Sequence, residues 1–169
     1  TGNALDNRID GNSGANRLYG LGGADDLRGG QGNDTLFGGW GADRLDGGLG
    51  SDVLLGGTGN DTYVLTDTLD TIYEDVGQGW DIVQVVGLTS YTMAANVEEQ
   101  QNVAANPYVL PAALHAIGND LDNRMVGGDA AEIYEGGLGN DSVLGNGGND
   151  TLIGGAGADF LDGGSGSNT

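Results

Sequence analysis

The chain has 169 residues, 36 of them Gly, with 25 acidic and 5 basic side chains for a formal charge of -20. There is no Lys and the few Arg are scattered, which argues against nucleic acid and anionic membrane surfaces as partners, since phosphate binding needs cations clustered on one face. Large apolar residues are too few for one thick core, and self-repulsion of this size opposes collapse unless bound cations neutralise it.

Residues 2–64 divide into units of nine: GNALDNRID, GNSGANRLY, GLGGADDLR, GGQGNDTLF, GGWGADRLD, GGLGSDVLL and GGTGNDTYV. The best-matched units read G-G-x-G-x-D-x-U-x with U apolar, and repetition at a fixed period outranks any local propensity. U is Ile9, Leu18, Leu27, Leu36, Leu45, Leu54 and Tyr63. Asn3 and Asn12 stand where later units carry their second Gly. Asn is the non-Gly residue best able to adopt positive φ, so this position is expected to be left-handed. In unit 20–28 Leu21 takes the place and the glycines move to Gly22 and Gly23, which predicts a distorted turn.

Residues 65–117 lose the glycines but keep short β-like runs, among them Thr71-Ile72-Tyr73, Ile82-Val83-Gln84-Val85-Val86 and Tyr91-Thr92-Met93. Asp70 and Ile72 hold the Asp and U registers, and Gly77-Gln78-Gly79-Trp80-Asp81 resumes the motif after a two-residue insertion. This segment is expected to be a connector or a set of enlarged coils. After Val97-Glu98-Glu99 an apolar strand would be expected, yet Gln100-Gln101-Asn102 follows. Asn106-Pro107 and Leu110-Pro111 then indicate an irregular loop, either a functional insertion or, the favoured reading, the boundary between two rolls.

A second block, 118–169, opens with GNDLDNRMV, close to GNALDNRID, and continues in units 127–135, 136–144, 145–153 and 154–162. Its U residues are Met125, Tyr134, Val143, Leu152 and Leu161, and Asn119 and Asn146 stand at the second position. The chain starts at Thr1 without Met and stops within a motif, so it reads as a piece of a longer polypeptide.

A six-residue turn and a three-residue strand reverse the chain every nine residues, so two units make one coil with strands on opposite faces and U pointing inward. The turns aim carbonyls at the groove between consecutive coils, beside the sixth-position carboxylate. Oxygen-only ligands of this kind suit Ca²⁺ better than Mg²⁺. Turns on one side lie two units apart. The expected ion-bridging pairs are therefore Asp25/Asp43, Asp34/Asp52, Asp43/Asp61, Asp141/Asp159 and Glu132/Asp150. Weaker pairs are Asn7/Asp25, Asn16/Asp34, Asp52/Asp70 and Asn123/Asp141, and Asp81 is a further ligand. Carbonyls are expected from Gly29, Gly30, Gly32, Gly38, Gly39, Gly41, Gly47, Gly48, Gly50, Gly56, Gly57 and Gly59. In the second block Gly136, Gly137, Gly139, Gly154, Gly155 and Gly157 take that part. Several Ca²⁺ ions follow, held weakly or not at all at the Asn-bearing units.

Outward columns differ between the two sheets. One reads Arg8, Asp26, Arg44, Thr62 before U and Asp10, Arg28, Asp46, Val64 after it, a checkerboard that fixes register. The other carries Arg17, Thr35, Val53 and then Tyr19, Phe37, Leu55. This apolar ladder of Tyr19, Phe37, Val53 and Leu55 suggests an interface with the rest of a parent polypeptide or with another copy.

The repeat resembles the RTX, or haemolysin-type calcium-binding, nonapeptide over residues 2–64 and 118–169. The resemblance implies an all-β fold, a right-handed parallel β-roll in two blocks. It also implies a secreted or cell-surface bacterial protein, exported by type I secretion machinery, that folds on calcium uptake outside the cell. Such domains accompany many activities, so the parent's activity is not named by them. No apolar run approaches the ~18 residues of a membrane span, no signal peptide is visible, and the lack of Cys fits several compartments. His115, between Leu114 and Ala116, has no Ser or Cys partner in a recognisable arrangement, and no nucleophile elbow or phosphate loop is present. No catalytic residue is assigned. The alternative to a folding and secretion module is an adhesive or carbohydrate-binding solenoid, with Trp40, Tyr19 and Trp80 available to stack on a sugar ring.

Overall fold

The structure, a computed structural model, describes residues 1–103 and 113–169. The loop expected at Asn106-Pro107 and Leu110-Pro111 lies outside the described residues. Every regular element among the described residues is a strand. In chain order they are β1 (Arg8–Asp10), β2 (Arg17–Gly22), β3 (Asp26–Gln31), β4 (Thr35–Trp40), β5 (Arg44–Leu49), β6 (Val53–Thr58), β7 (Thr62–Leu65) and β8 (Thr71–Tyr73). There follow β9 (Ile82–Val86), β10 (Ser90–Thr92), β11 (Glu99–Val103), β12 (His115–Ile117), β13 (Arg124–Val126), β14 (Ile133–Leu138), β15 (Ser142–Leu144), β16 (Thr151–Ala156) and β17 (Phe160–Asp162). They form two compact units, Thr1–Val83 and Gln84–Thr169.

Within the first unit the strands alternate between two parallel sheets, β1-β3-β5-β7 and β2-β4-β6-β8. Within the second they alternate between β11-β13-β15-β17 and β10-β12-β14-β16. This is the parallel β-roll. Partners lie eighteen residues apart, Leu27 against Leu45 and Leu36 against Leu54. In the second unit Gln100 faces Met125, a step of twenty-five residues, and the eighteen-residue step returns with Met125 against Val143.

The long strands differ from the expected three residues. β2 to β6, β14 and β16 each have six, running from the seventh position of one unit to the third of the next. The first two glycines extend the ladder, with Gly30 against Gly48 and Gly39 against Gly57, so the turn shrinks to Gly-x-Asp.

The U column is the core. Leu27, Leu36, Leu45, Leu54 and Tyr63 are fully buried in the first unit, as are Met125, Tyr134 and Val143 in the second. Burial of each Leu contributes about 1.5–3 kcal/mol, and a one-residue slip would turn the whole column to solvent. The expected apolar strand after Glu99 is β11, and its inward residue is Gln100, fully buried opposite Met125. Beside it Asn102 donates to Glu132 Oε1 at 3.0 Å, and Arg124 pairs with Glu99.

The charged checkerboard has the expected register, with Arg8, Asp26 and Arg44 in one row and Asp10, Arg28 and Asp46 in the next. Its ion pairs run chiefly along single strands, Arg8–Asp10, Arg28–Asp26 and Arg44–Asp46. Arg44–Asp26, at 3.3 Å, crosses between strands. Side chains two apart on one strand share a face, and the Arg stem reaches that neighbour as easily as the one across. On the other sheet Tyr19 and Phe37 stack face to face, centroids 4.7 Å apart, and Val53 and Leu55 beside them are half-buried.

Candidate metal centres in the turns

Each turn is pinned through its sixth residue. The backbone N–H of that residue donates to the side-chain oxygen of its counterpart one coil on: Asp25 to Asp43 at 2.8 Å, Asp34 to Asp52 at 2.7 Å, Asp43 to Asp61 at 2.8 Å and Asp52 to Asp70 at 3.0 Å. Asn7 donates in this way to Asp25, Asn16 to Asp34, Asn123 to Asp141, Glu132 to Asp150 and Asp141 to Asp159. All the sequence-derived pairs are thus brought together. Across the two-residue insertion Asp61 donates to Asp81 at 2.8 Å, and Asp150 donates to Asn168, which the sequence reading had not singled out.

In the Asp turns one carboxylate oxygen is consumed by this ladder and the other is not, whereas Glu132 Oε1 accepts from Asn102 and from Gly128 N–H. Oδ2 of Asp25, Asp34, Asp43, Asp52, Asp61, Asp70, Asp141 and Asp150, and Oε2 of Glu132, are buried without a hydrogen-bond partner. An ionised oxygen held out of water in this way is costly unless a cation meets it. Burial first, then the charges of Asp43 and Asp81, push Asp61 up to about 7, against the opposing effect of the Asp43 N–H. Burial likewise pushes Asp70 and Glu132 up to about 7 and raises Asp43, Asp52 and Asp141.

The glycines complete the cradle. A Cβ on Gly38 would overlap Asp43 Oδ2 and lie 2.6 Å from the Gly56 carbonyl oxygen. A Cβ on Gly136 would likewise overlap Asp141 Oδ2 and the Gly154 carbonyl oxygen. First-position glycines therefore leave open the point on which a carboxylate and the next coil's carbonyl converge. Gly29, Gly47 and Gly56 face Asp34, Asp52 and Asp61 in the same manner. The second and fourth glycines differ: Gly30, Gly39, Gly48, Gly57, Gly137 and Gly155, and Gly32, Gly41, Gly50, Gly59, Gly139 and Gly157, all have positive φ and lie close to the preceding coil's backbone. The donor set is oxygen alone, buried and anionic, and fits Ca²⁺.

The Asn-bearing turns are built otherwise. Asn7 Oδ1 accepts from Asn3 N–H at 2.8 Å, Asn16 Oδ1 from Asn12 N–H at 2.7 Å and Asn123 Oδ1 from Asn119 N–H at 2.8 Å, so their side-chain oxygens are already engaged. The expectation of a left-handed second position fails for Asn3, Asn12 and Asn119 and holds for Asn146, at φ 67°. Asn3, Asn12 and Asn119 instead accept from the N–H two residues on, a local turn that needs no positive φ. Leu21 does adopt φ 86°, and unit 20–28 stays in register opposite Gly39 where a distorted turn was expected.

Glu74 was missed by the sequence reading. Counting nines from Gly56 puts it at a first-glycine position, which is the signal that would have found it. It accepts a hydrogen bond from Tyr63 Oη and lies with Asp61 and Asp81. His115 pairs with Glu135 at 2.7 Å, both half-buried. Among the described residues no helix is long and apolar enough to cross a membrane.

The family model of the RTX calcium-binding nonapeptide repeat matches residues 1–36, 37–72 and 135–169. No curated protein matches the chain.

Proposed function

The chain belongs to the RTX calcium-binding nonapeptide repeat family, and on that premise we propose how its turns hold calcium and what the binding is for. The family makes it a Ca²⁺-binding β-roll module of a structural, non-catalytic kind. In our reading each ion sits between consecutive turns on one side. It is ligated by the free oxygens of Asp25, Asp34, Asp43, Asp52, Asp61, Asp70, Asp141, Asp150 and Glu132, with Asp159 and the first-glycine carbonyls beside them. The row of buried carboxylate oxygens without partners carries this reading.

Because the ligands of one ion come from different coils, binding free energy appears as folding free energy. A chain of charge -20 is held open by self-repulsion where calcium is scarce and closes where it is plentiful. Proteins with these repeats are typically secreted by bacteria. The proposed role is accordingly to keep a longer exported polypeptide unfolded during passage through type I secretion machinery and to fold and stabilise it outside the cell. Circular dichroism and hydrodynamic radius, measured in EGTA and then in millimolar Ca²⁺, test this. The expected result is an expanded chain that becomes compact and β-rich on calcium addition. Equal structure in both conditions would overturn the proposal.

One observation favours an adhesive role alongside it. Trp40 is 74% exposed and edges a largely apolar groove shared with Ala4, Leu21, Thr58 and Gln78. Loss of polysaccharide binding in Trp40→Ala, with calcium-dependent folding intact, would support that role. A wild-type chain that binds no polysaccharide would remove it.

A further inference from the structure

At the end of the first unit the repeat changes its chemistry. Tyr63 replaces Leu at U and is fully buried, its hydroxyl accepting from Gly56 N–H at 2.7 Å and donating to Glu74. Glu74 stands where a first glycine would offer only a carbonyl. The insertion lengthens the step from eighteen to twenty residues, yet Asp81 Oδ1 still receives the Asp61 N–H and Ile82 N–H still reaches the Asp61 carbonyl at 2.9 Å. Asp61, Glu74 and Asp81 each bring one carboxylate oxygen within 4.8 Å of the others. A second observation points to a ligand: Asp61 is 0% exposed, and its Oδ2 is buried without a partner where a Cβ on Gly56 would overlap it.

We propose that Asp61, Glu74 and Asp81 form a calcium site of their own, which loads ahead of the two-carboxylate turns and on which the coil of residues 56–83 closes. The inference rests on reading the turns as calcium sites and adds a ligand outside the nine-residue motif. Three carboxylates inside one ion's reach repel each other strongly at low dielectric. A Ca²⁺-sized cation accepting six to eight oxygens relieves that repulsion, and affinity at such sites rises with ligand charge. Tyr63, held from both sides, positions the Glu74 carboxylate.

The test is a calorimetric CaCl₂ titration of the whole chain, with bound calcium counted by equilibrium dialysis. Glu74→Gln is expected to lower the affinity of the first step by on the order of tenfold or more, and to bind one ion fewer. Asp34→Asn, on the opposite side of the roll, is expected to weaken a later step and leave the first intact. An unchanged first step and ion count in Glu74→Gln overturn the proposal. Tyr63→Phe separates a ligand from a merely structural Glu74. It keeps all three carboxylates, so the ion count is retained, whereas a Glu74 that matters only through its hydrogen bond makes Tyr63→Phe behave like Glu74→Gln. If Glu74→Gln does not fold at saturating calcium, Glu74→Asp and Tyr63→Phe are read by the same criteria. A wild-type chain that takes up no calcium would instead sink the proposed function itself, a different result from a normal titration insensitive to Glu74.

Discussion

The turns of residues 20–64 and those of residues 2–19 share period and register, and differ at the sixth residue. Where the sixth residue is Asp, the second residue has positive φ and one carboxylate oxygen is left bare. Leu21 with Asp25, Gly30 with Asp34, Gly39 with Asp43, Gly48 with Asp52 and Gly57 with Asp61 follow this rule. Where it is Asn, at Asn7 and Asn16, the second residue keeps negative φ and its N–H closes onto the amide oxygen. The second unit repeats the division in part, since Gly164 takes φ 69° although the sixth residue of its turn is Asn168. Gly137 and Asn146, with positive φ, accompany Asp141 and Asp150, and Asn119 accompanies Asn123, while Glu132 keeps a bare Oε2 although Gly128 has no positive φ. Even Leu, with no conformational liking for positive φ, takes it in front of an Asp. The contrast separates Asp turns with a bare carboxylate oxygen from Asn turns whose side-chain oxygen is engaged within the turn.

The sharpest break of this comparison is steric. Gly41, at φ 124°, sits where a Cβ would run into the Gly23 carbonyl oxygen, whereas a Cβ on Gly14, at the same position of an Asn turn, meets nothing closer than Asn12 Oδ1 at 3.4 Å. Gly41→Ala should therefore cost about 2 kcal/mol or more in saturating calcium, from left-handed strain and the clash together. Gly14→Ala should lie within about 0.5 kcal/mol of wild type. Urea melts of the two variants at fixed calcium check this, and equal losses would deny that the turns differ.

Next in size is the exchange of the sixth residue itself. Asp43→Asn replaces a bare carboxylate oxygen by an amide and should raise the calcium midpoint of folding by on the order of tenfold. Asn16→Asp should do the reverse and add an ion to the count at saturation. Equilibrium dialysis reads both. An Asn16→Asp chain that binds no more calcium than wild type would show that the second-position geometry, and not the sixth residue, decides the turn.

Acid should tell the two kinds of turn apart as well. The folded carboxyls of Asp61 and Asp70 are pushed up to about 7 by burial, well above their unfolded values near 3.8. Raised folded values mean that the calcium-free fold is favoured below the unfolded pKa, and that this advantage fades as pH rises through the folded one. In EGTA, structure in residues 56–73 should be greatest near pH 4 and lost by about pH 8. Amide exchange across that range locates it, and a pH-independent profile would contradict the assignment.

Much of this was legible in the sequence because one period dictates everything it touches. Nine residues per unit placed Leu27 against Leu45 and Asp25 over Asp43, and the same count put U in the core. Legibility ended where a residue's role is set by the neighbour above it. Glu74 falls at a first-glycine position by count, but its role follows from Tyr63 and from how the insertion lets Asp81 return. Gln100 reads as a strand breaker in an apolar column, yet it is buried beside Asn102, which is bonded to Glu132 thirty residues on. Asn3 and Asn12 were assigned positive φ from intrinsic preference, and a hydrogen bond two residues ahead overrides it. Strand length was underestimated because Gly lacks β-propensity, although its N–H and C=O pair as readily as any.

The smallest effect lies on the outer face, where the two regions differ in how many partners an arginine meets. Arg44, on β5, lies 3.3 Å from Asp26 across the sheet and 3.5 Å from Asp46 on its own strand, while Arg8, on β1, has Asp10 alone and is more exposed, 60% against 37%. Burial alone would raise the Asp26 carboxyl, and the hydrogen bonds and charges of Arg28 and Arg44 bring it below its usual value. Arg44→Ala should thus cost about 0.5–1 kcal/mol at low salt, and Arg8→Ala close to nothing. The gap should shrink in 1 M NaCl, where screening acts within about 3 Å. A gap that survives high salt would mean that the Arg44 stem stabilises by packing over the sheet, and that the checkerboard fixes register without holding the coils together.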